Sequence, residues 1–406
     1  MRVLANERPV MDEGAARYER RGVSPDKPDV REAIAAEDPG LFPGAFCKAV
    51  PDVLTGSPEH CLVLHADGAG TKSALAYLAF RRHGDAAVFR GIAQDSLVMN
   101  LDDAMCVGAT GPFVMSNTIG RNARLVDKAV LRELVDGYAA VRERLAGYGI
   151  EIVSCGGETA DVGDLVRTIV VDSTLAVRMR RDAFIDCSHV RPGHVLVGLA
   201  SAGRAVYEDE ENSGIGSNGF TAARHDVLAK KYREEFPETY APEIAALAYA
   251  GRHLLDDPLP GSTLTVGDAL LSPTRSYAPI LVRVLEQHRA AISAIFHNTG
   301  GGLTKCTHFG RGVRYEKTAL PAPPAIFRLI QSVSELRTAE MVRTFNMGIL
   351  MEIACEPEAA PGIVRIAESF GVEAAVIGRV AAAEPDRPAL RMIVDGEELA
   401  FPPPAR

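Results

Sequence analysis

Tryptophan is absent from this chain of 406 residues, and aromatic residues make up only 6% of it. The absence removes one common anchor of protein interfaces and nothing more. Positive charge is in deficit: 44 Lys and Arg stand against 53 Asp and Glu, a net charge of −9. Such a chain carries no overall attraction to nucleic acid or anionic membrane, so neither is expected as a partner, although a local basic pocket for phosphates stays open. Long apolar runs are missing too. The longest uncharged stretch, Ala104 to Gly120, is interrupted by Gly108, Gly111, Pro112, Ser116 and Asn117, whereas a bilayer span needs about 20 mostly apolar residues. The opening MRVLANERPV has no apolar signal core. Cysteines are few, dispersed and odd in number (47, 61, 106, 155, 187, 306 and 355), with no Cys-x-x-Cys. That pattern predicts reduced thiols in the cytoplasm and no structural zinc.

What is present is ordinary globular material, 47% hydrophobic and 24% charged. At about 150 residues per domain the length suggests two to three domains. The first forty-odd residues, ending in Gly40-Leu41-Phe42-Pro43-Gly44-Ala45-Phe46, read as a loop or arm. Strands are expected at Cys61 to Ala66, from Pro112, at Ile150 to Ser154 and at Val166 to Val177; helices at Ser73 to Phe80, Gln94 to Val107 and Leu125 to Leu145. The turn Arg191-Pro192-Gly193 marks a boundary, giving domains 1–190 and 191–406. The second half alternates again. Strands are expected at Val195 to Leu199, Ile292 to Phe296, Met347 to Ala354 and, last, Val372 to Val380. Helices fall at Phe220 to Tyr232, Ser276 to His288 and Pro361 to Phe370. Arg204 to Asn212 reads as a charged, exposed insertion. The fold class is α/β (α+β) with two domains.

Several segments carry chemistry-bearing residues. Asp67-Gly68-Ala69-Gly70-Thr71-Lys72 joins a strand to a helix. Small residues there let backbone N–H groups and the helix start approach an anion; Lys72 adds a charge and Asp67 a metal ligand. The spacing is not that of a Walker A loop, and a plain strand–helix turn is an equal reading. On a helix, Asp102 lies about 20° and Asp103 about 80° from Asp95, opposite Leu97, Val98, Leu101 and Met105. Such a stripe is either solvated or shared with Mg²⁺ and phosphates. Gly156-Gly157-Glu158 follows a strand and permits close backbone approach, or simply turns the chain. Gly214-Ile215-Gly216-Ser217-Asn218-Gly219 matches GxGxxG but follows acidic residues, not a buried strand; that disfavours a dinucleotide fold and leaves an anion nest at a helix start. His297-Asn298-Thr299-Gly300-Gly301-Gly302 and Arg343-Thr344-Phe345-Asn346 complete the set, with a linker and a capped turn as their plain alternatives.

In this order the motifs resemble the aminoimidazole ribonucleotide synthetase (phosphoribosylformylglycinamidine cyclo-ligase) family, in its longer, divergent form. The match also uses Tyr18 with Gly22-Val23, Gly108-Ala109, Thr159-Ala160, Ser213, Ser272-Pro273-Thr274-Arg275 with Tyr277, and Gly348; it spans about residues 18 to 380. The resemblance implies ATP and Mg²⁺, a small ribotide substrate, and ring closure through a phosphorylated formamide oxygen. It implies a homodimer whose N-terminal halves pair into a β-barrel. It implies catalytic roles for His297, Asp103 and Lys72. ATP is expected at Asp67, Gly68, Gly70, Thr71, Lys72, Asp95, Gly156, Gly157 and Glu158, and metal at Asp67, Asp95, Asp102, Asp103 and Glu158. Substrate is expected at Ser217, Asn218, Gly219, Thr274, Arg275, Gly300, Gly301, Arg343 and Asn346. Departures are Glu19 for a usual Lys, Asp102 for Asn, Gly216 for the His of SGxHSNG, and the 204–212 insertion. With that His missing, His297 is the remaining motif imidazole, and Gly216→His is expected to be tolerated. Two alternatives stand beside this reading: a selenophosphate-synthetase-like relative, with Cys47-Lys48 as a faint echo of its reactive loop, and a non-catalytic nucleotide-binding paralogue. Cys47 itself is expected to be inert.

Overall fold

The computed structural model describes residues 20–23, 28–34, 36–334, 336–383 and 388–402. Tyr18 and Glu19 lie outside the described residues. After a short helix α1 (Pro28–Ile34), the first half builds a five-stranded sheet from β1 (Ala49–Pro51), β2 (His60–Gly68), β3 (Phe113–Arg121), β4 (Ile152–Asp161) and β5 (Ile169–Arg180). Their order is β1-β2-β5-β3-β4, antiparallel except for the β3–β4 edge pair. Helices α2 (Lys72–His83), α3 (Phe89–Cys106) and α4 (Lys128–Ala146) complete this half. Gly84, at φ +79°, ends α2 in the left-handed conformation that glycine tolerates. The Asp127 carboxylate accepts from the Ala129 and Val130 amides to start α4.

The two faces of this sheet differ. Along β5, Val171, Ser173, Leu175 and Val177 are buried, while Asp172, Thr174, Ala176 and Arg178 point the other way. The inner face packs on α3. On the outer face, register aligns Leu64, Ala176, Val114 and Val153 in one row across four strands. Leu64 is 70% exposed there and Val114 and Val153 45% each, an apolar row that none of the described residues covers.

The second half is a seven-stranded sheet of order β14-β13-β10-β12-β6-β11-β9. Its strands are β6 (Val195–Ala200), β9 (Ile292–His297), β10 (Val313–Lys317), β11 (Ile349–Cys355), β12 (Ala374–Ala382), β13 (Ala389–Val394) and β14 (Glu397–Phe401). Two-residue strands β7 (Ala202–Gly203) and β8 (Asn212–Ser213) pair separately. The helices are α5 (Phe220–Val227), α6 (Lys231–Glu235), α7 (Val266–Leu271), α8 (Ala278–His288), α9 (Ala325–Ser334), α10 (Thr338–Thr344) and α11 (Ala360–Ser369).

Three expectations change. The helix expected to run to Tyr232 stops at Val227, because Leu228 turns extended and bridges to His253. β12 is not the last strand. Leu390, Met392 and Val394 alternate inward on β13, and Asp395-Gly396, both at positive φ, turn the chain into β14. The Arg204 to Asn212 segment is not a free loop: β7 and β8 close it, and the Tyr207 ring packs against Tyr148 and Phe370.

Helix α3 lies at the centre of the molecule. It packs on β2 and β5 on one side and on β9 and α8 of the second half on the other. A helix enclosed on both sides has no solvated face, so every residue of α3 from Asp95 to Cys106 is buried, its three aspartates included.

Candidate active site

Three glycine turns from distant parts of the sequence meet at the junction of the two halves. The first, Gly68 to Thr71, ends β2. Its Thr71 hydroxyl lies 3.1 Å from that of Thr221, in the first turn of α5. The second is the α5 start, where Gly219 takes φ +75° and a Cβ would sit 2.3 Å from the Phe345 ring. The third is Gly300-Gly301, where a Cβ on Gly300 would lie 3.9 Å from the Asn218 side-chain oxygen. Ser217 presents a buried hydroxyl with no partner. Unpaired donors at a helix start suit an anionic group.

Gly156-Gly157-Glu158 lies on edge strand β4 rather than in a turn. Gly157 must lack a side chain, since a Cβ would fall 2.0 Å from Asn117 Oδ1. Register places Glu158 beside Thr118, Asp172 and Gly68 in one row on the outer face. Asp172 carries no motif and was missed from the sequence; only the register brings it here. Burial and the neighbouring Asp67 charge raise its pKa. Burial also raises that of Asp67, against the 2.7 Å hydrogen bond it accepts from the Gly68 amide, and Asp103 adds to the rise.

The acids of α3 divide into two roles. Asp95 and Asp102, one face of the helix, are spent on the segment Ser272 to Tyr277. Asp95 Oδ1 accepts from the Thr274 amide (2.7 Å), the Thr274 hydroxyl (2.6 Å) and Lys72 Nζ (3.0 Å). Asp102 accepts from the Ser276 hydroxyl (2.9 Å) and the Tyr277 amide (2.7 Å). Both are fully buried and their oxygens are taken by protein donors, which argues against the expected metal role of either and the expected ATP role of Asp95. Burial pushes Asp102 up to about 6. Among the described residues no group of three His, Cys, Asp or Glu is assembled to hold a metal.

Lys72 needs the same correction. Its ammonium is fully buried, bonded to Asp95 and to the carbonyls of Gly216 (3.1 Å) and Ser272 (2.6 Å). Burial pushes the Lys72 ammonium down and the Asp95 carboxyl up from their ordinary values. The lysine ties two loops together and does not point at the anion site. Arg275 is likewise enclosed: its five N–H groups meet Glu208 and three carbonyls. Thr274 is occupied by Asp95. Asn346 holds Gly214 and Ile215 by their carbonyls and accepts from Ser201 and Gly348. Arg343 is exposed, over the Phe401 ring. These four shape or border the walls and do not project into the junction.

Asp103 faces the other way and gathers imidazoles. Its Oδ1 lies 2.7 Å from His297 Nδ1 and its Oδ2 3.4 Å from His65 Nε2. Burial, the largest single influence, would raise Asp103, yet the His297 hydrogen bond together with the charges of His297, His65 and Lys305 outweighs it and holds the carboxyl below its ordinary value. The Asn100 amide nitrogen donates to the carbonyls of Asp67, Ser96 and Ser173, so its oxygen is free to accept from His65 Nδ1 at 3.0 Å. His65 was not singled out from the sequence; it stands two residues before Asp67, and β-strand period 2 was the available signal. His297 is fully buried, and its Nε2 has no partner. Cys47 is buried with its thiol against the Asp103 carbonyl, and burial, then Asp103, push its pKa well up, as an inert thiol requires.

A two-domain α/β protein with its chemistry at a helix-bearing junction is the class these features define. Family models match both halves: "AIR synthase related protein, N-terminal domain" over residues 48–177 and "AIR synthase related protein, C-terminal domain" over 191–389. The chain belongs to the AIR synthase related family. It is 30% identical over 79% of its length to the phosphoribosylformylglycinamidine cyclo-ligase of Methanocaldococcus jannaschii, covering 79% of that protein. It is 32% identical to that of Symbiobacterium thermophilum, over 82% of both chains. Among solved structures, a chain of the HypE–HypF complex matches at a TM-score of 0.53 with 15% identity, covering 92% of this chain and 99% of that one, a likeness of fold alone.

Asp102 generates a pH test. Its folded value near 6 lies above the unfolded value of about 3.9, so the native state holds the extra proton and loses stability as pH rises from about 4 to 6. The full cost, on the order of 3 kcal/mol, is present above that window. Asp102→Asn is expected to gain stability relative to the parent by about that amount between pH 4 and 7, read from denaturant melts at both pH values. A difference between the two proteins that does not change with pH contradicts a raised Asp102.

Proposed function

We propose that this protein is an ATP-dependent cyclo-ligase that closes formylglycinamidine ribonucleotide to aminoimidazole ribonucleotide, releasing ADP and phosphate, in the cytoplasm and as a homodimer. The observation that carries the reading is the His297–Asp103 pair: a fully buried imidazole with one nitrogen fixed by a carboxylate and the other unpartnered, placed where the glycine turns of both halves meet. Family membership and the names of the curated relatives supply the reaction class.

ATP transfers its terminal phosphoryl group to the formamide oxygen, the amidine nitrogen attacks the activated carbon, and phosphate leaves as the ring closes. With Nδ1–H donating to Asp103, His297 Nε2 is an acceptor. It takes the proton from the attacking nitrogen, help worth typically 10²–10⁴-fold. The Ser217-Asn218-Gly219 helix start and Gly300-Gly301 hold the ribotide phosphate through N–H groups and the Ser217 hydroxyl. Asp67, Asp172 and Glu158, with the Gly68-to-Thr71 and Gly156-Gly157 backbone, face ATP. The residues fit magnesium: Asp67 and Asp172 are raised carboxylates with no ion pair of their own among the described residues. One or two carboxylates completed by phosphate oxygens is the usual Mg²⁺ arrangement. The metal would neutralise phosphate charge during transfer. The buried, high-pKa Cys47 speaks against selenophosphate-type chemistry. The seven unpaired cysteines, six of them buried, suit a reducing compartment; no helix among the described residues is long and apolar enough to cross a membrane.

The direct test is purified protein with Mg-ATP and formylglycinamidine ribonucleotide: ADP, phosphate and the imidazole product are expected in equal amounts. ATP turnover without ring closure refutes the assignment. His297→Ala is expected to lower kcat at least about tenfold with ATP affinity nearly unchanged; ordinary kcat removes the imidazole from the mechanism. Gly216→His is now expected to be costly, because Gly216 sits at φ +71° and its carbonyl receives Lys72. For the dimer, burying the Leu64–Val153 row is the driving force. Leu64→Glu is expected to give a monomer in sedimentation while the parent is a dimer; a monomeric parent refutes the pairing.

A further inference from the structure

The segment Arg204 to Asn212 makes more polar contacts than a solvated loop requires. Glu208 accepts four hydrogen bonds: from Arg275 Nε (2.9 Å) and Nη2 (2.6 Å), from the Ala205 amide (2.8 Å) and from the Asn212 side chain (3.3 Å). Arg275 is 1% exposed. Its remaining N–H groups go to the carbonyls of Ala200 and Ala202 (3.0 Å each) and Gly203 (2.7 Å), where the chain leaves β6 for the insertion. The pair is therefore bidentate and largely buried, an arrangement in which removing one partner is costly.

The same segment grips Ser272 to Tyr277 at two further points. The Tyr207 hydroxyl donates to the Ser276 carbonyl (2.8 Å), and Asn212 Nδ2 donates to the Pro273 carbonyl (2.8 Å). Asn212 Oδ1 meanwhile receives the Gly214 amide (2.9 Å), and the Ser213 amide donates to Ser272 Oγ (3.1 Å). The Tyr207 ring sits against Tyr148 of the first half and Phe370 of the second, and Arg144 of α4 pairs with Asp209. Ser272 to Tyr277 is thus held by Asp95 and Asp102 on one side and by the insertion on the other. The insertion continues directly into Ser213 to Gly219, the turn assigned above to the ribotide.

We infer that Glu208 is a positioning residue for the ribotide: through Arg275 and Asn212 it fixes the Ser213-to-Gly219 turn against the acidic helix α3, a task carried by the segment Arg204 to Asn212. Glu208 touches no reacting atom. The inference rests on the cyclo-ligase reading for its substrate, and on geometry alone for its clamp.

Two variants test it. Glu208→Gln keeps the shape but breaks the charged, four-donor acceptor. Tyr207→Phe removes one hydroxyl and keeps the ring, so its fold is secure. In Glu208→Gln the KM for the ribotide is expected to rise tenfold or more, and in Tyr207→Phe about threefold, while the KM for ATP and kcat at saturation stay within about threefold. Exchange of the amide hydrogens of residues 213 to 219 is expected to quicken in both, whether or not the protein turns over the ribotide. A lowered Tm with unchanged ribotide KM makes Glu208 a purely structural staple and overturns the inference. Unchanged amide exchange in both variants overturns the clamp itself. Quickened exchange in the variants of a parent that does not close the ring upholds the clamp and refutes only the cyclo-ligase reading.

Discussion

The buried carboxylates of α3 are the constraint on which the rest depends. Asp95 and Asp102 project from a helix with no wet face, and a carboxylate in that position must find donors or lose its charge. The donors come from Ser272 to Tyr277, well over a hundred residues away, and from Lys72. Meeting that need docks the second half on the first, and docking sets the third acid, Asp103, against His297. One helix thus holds the halves together with one face and presents its chemistry with another.

That division explains why residues expected to touch ligand are found in the walls. Lys72, Thr274, Arg275 and Asn346 are polar groups in motif positions, but each is satisfied by carbonyls or carboxylates of the protein itself. A fully satisfied buried network specifies geometry. Here it fixes the turns Gly70-Thr71, Ser217 to Gly219 and Gly300-Gly301, whose backbone N–H groups donate to no backbone carbonyl among the described residues. The site is built of unoccupied backbone on a rigid polar frame, which suits phosphate-bearing ligands, for which positioning and electrostatics carry most of the catalysis.

The uncovered apolar row on the first sheet stands apart from this network. Leu64, Val114 and Val153 lie on the outer face, while Asp172 and Glu158 occupy the same face one end further along their strands. A partner sheet laid on that row would stand beside the carboxylates, linking assembly to the nucleotide end of the site under the proposed dimer.

Much of this was legible in the sequence, for local reasons. Strand and helix periods placed β2, α2, α3, α4, β5, β6 and β9 within a few residues. Glycines marked positions whose positive φ or close contacts admit no side chain, the α5 start at Gly219 and strand β4 at Gly157. The order of the motifs pointed to the family. Spacing on a helix put Asp95, Asp102 and Asp103 in one stripe opposite the apolar residues. Which face meets solvent, which meets the other half and which meets an imidazole is not a property of spacing. It follows from α3 being enclosed by β2, β5, β9 and α8, and only tertiary packing decides that. Asp172 joined the site through strand register, His65 through the pleat that turns it toward Asn100, and Glu208 through an arginine 67 residues away. A linear sequence records the donors and acceptors; which of them spend each other, and which are left for a ligand, is settled when the chain closes on itself.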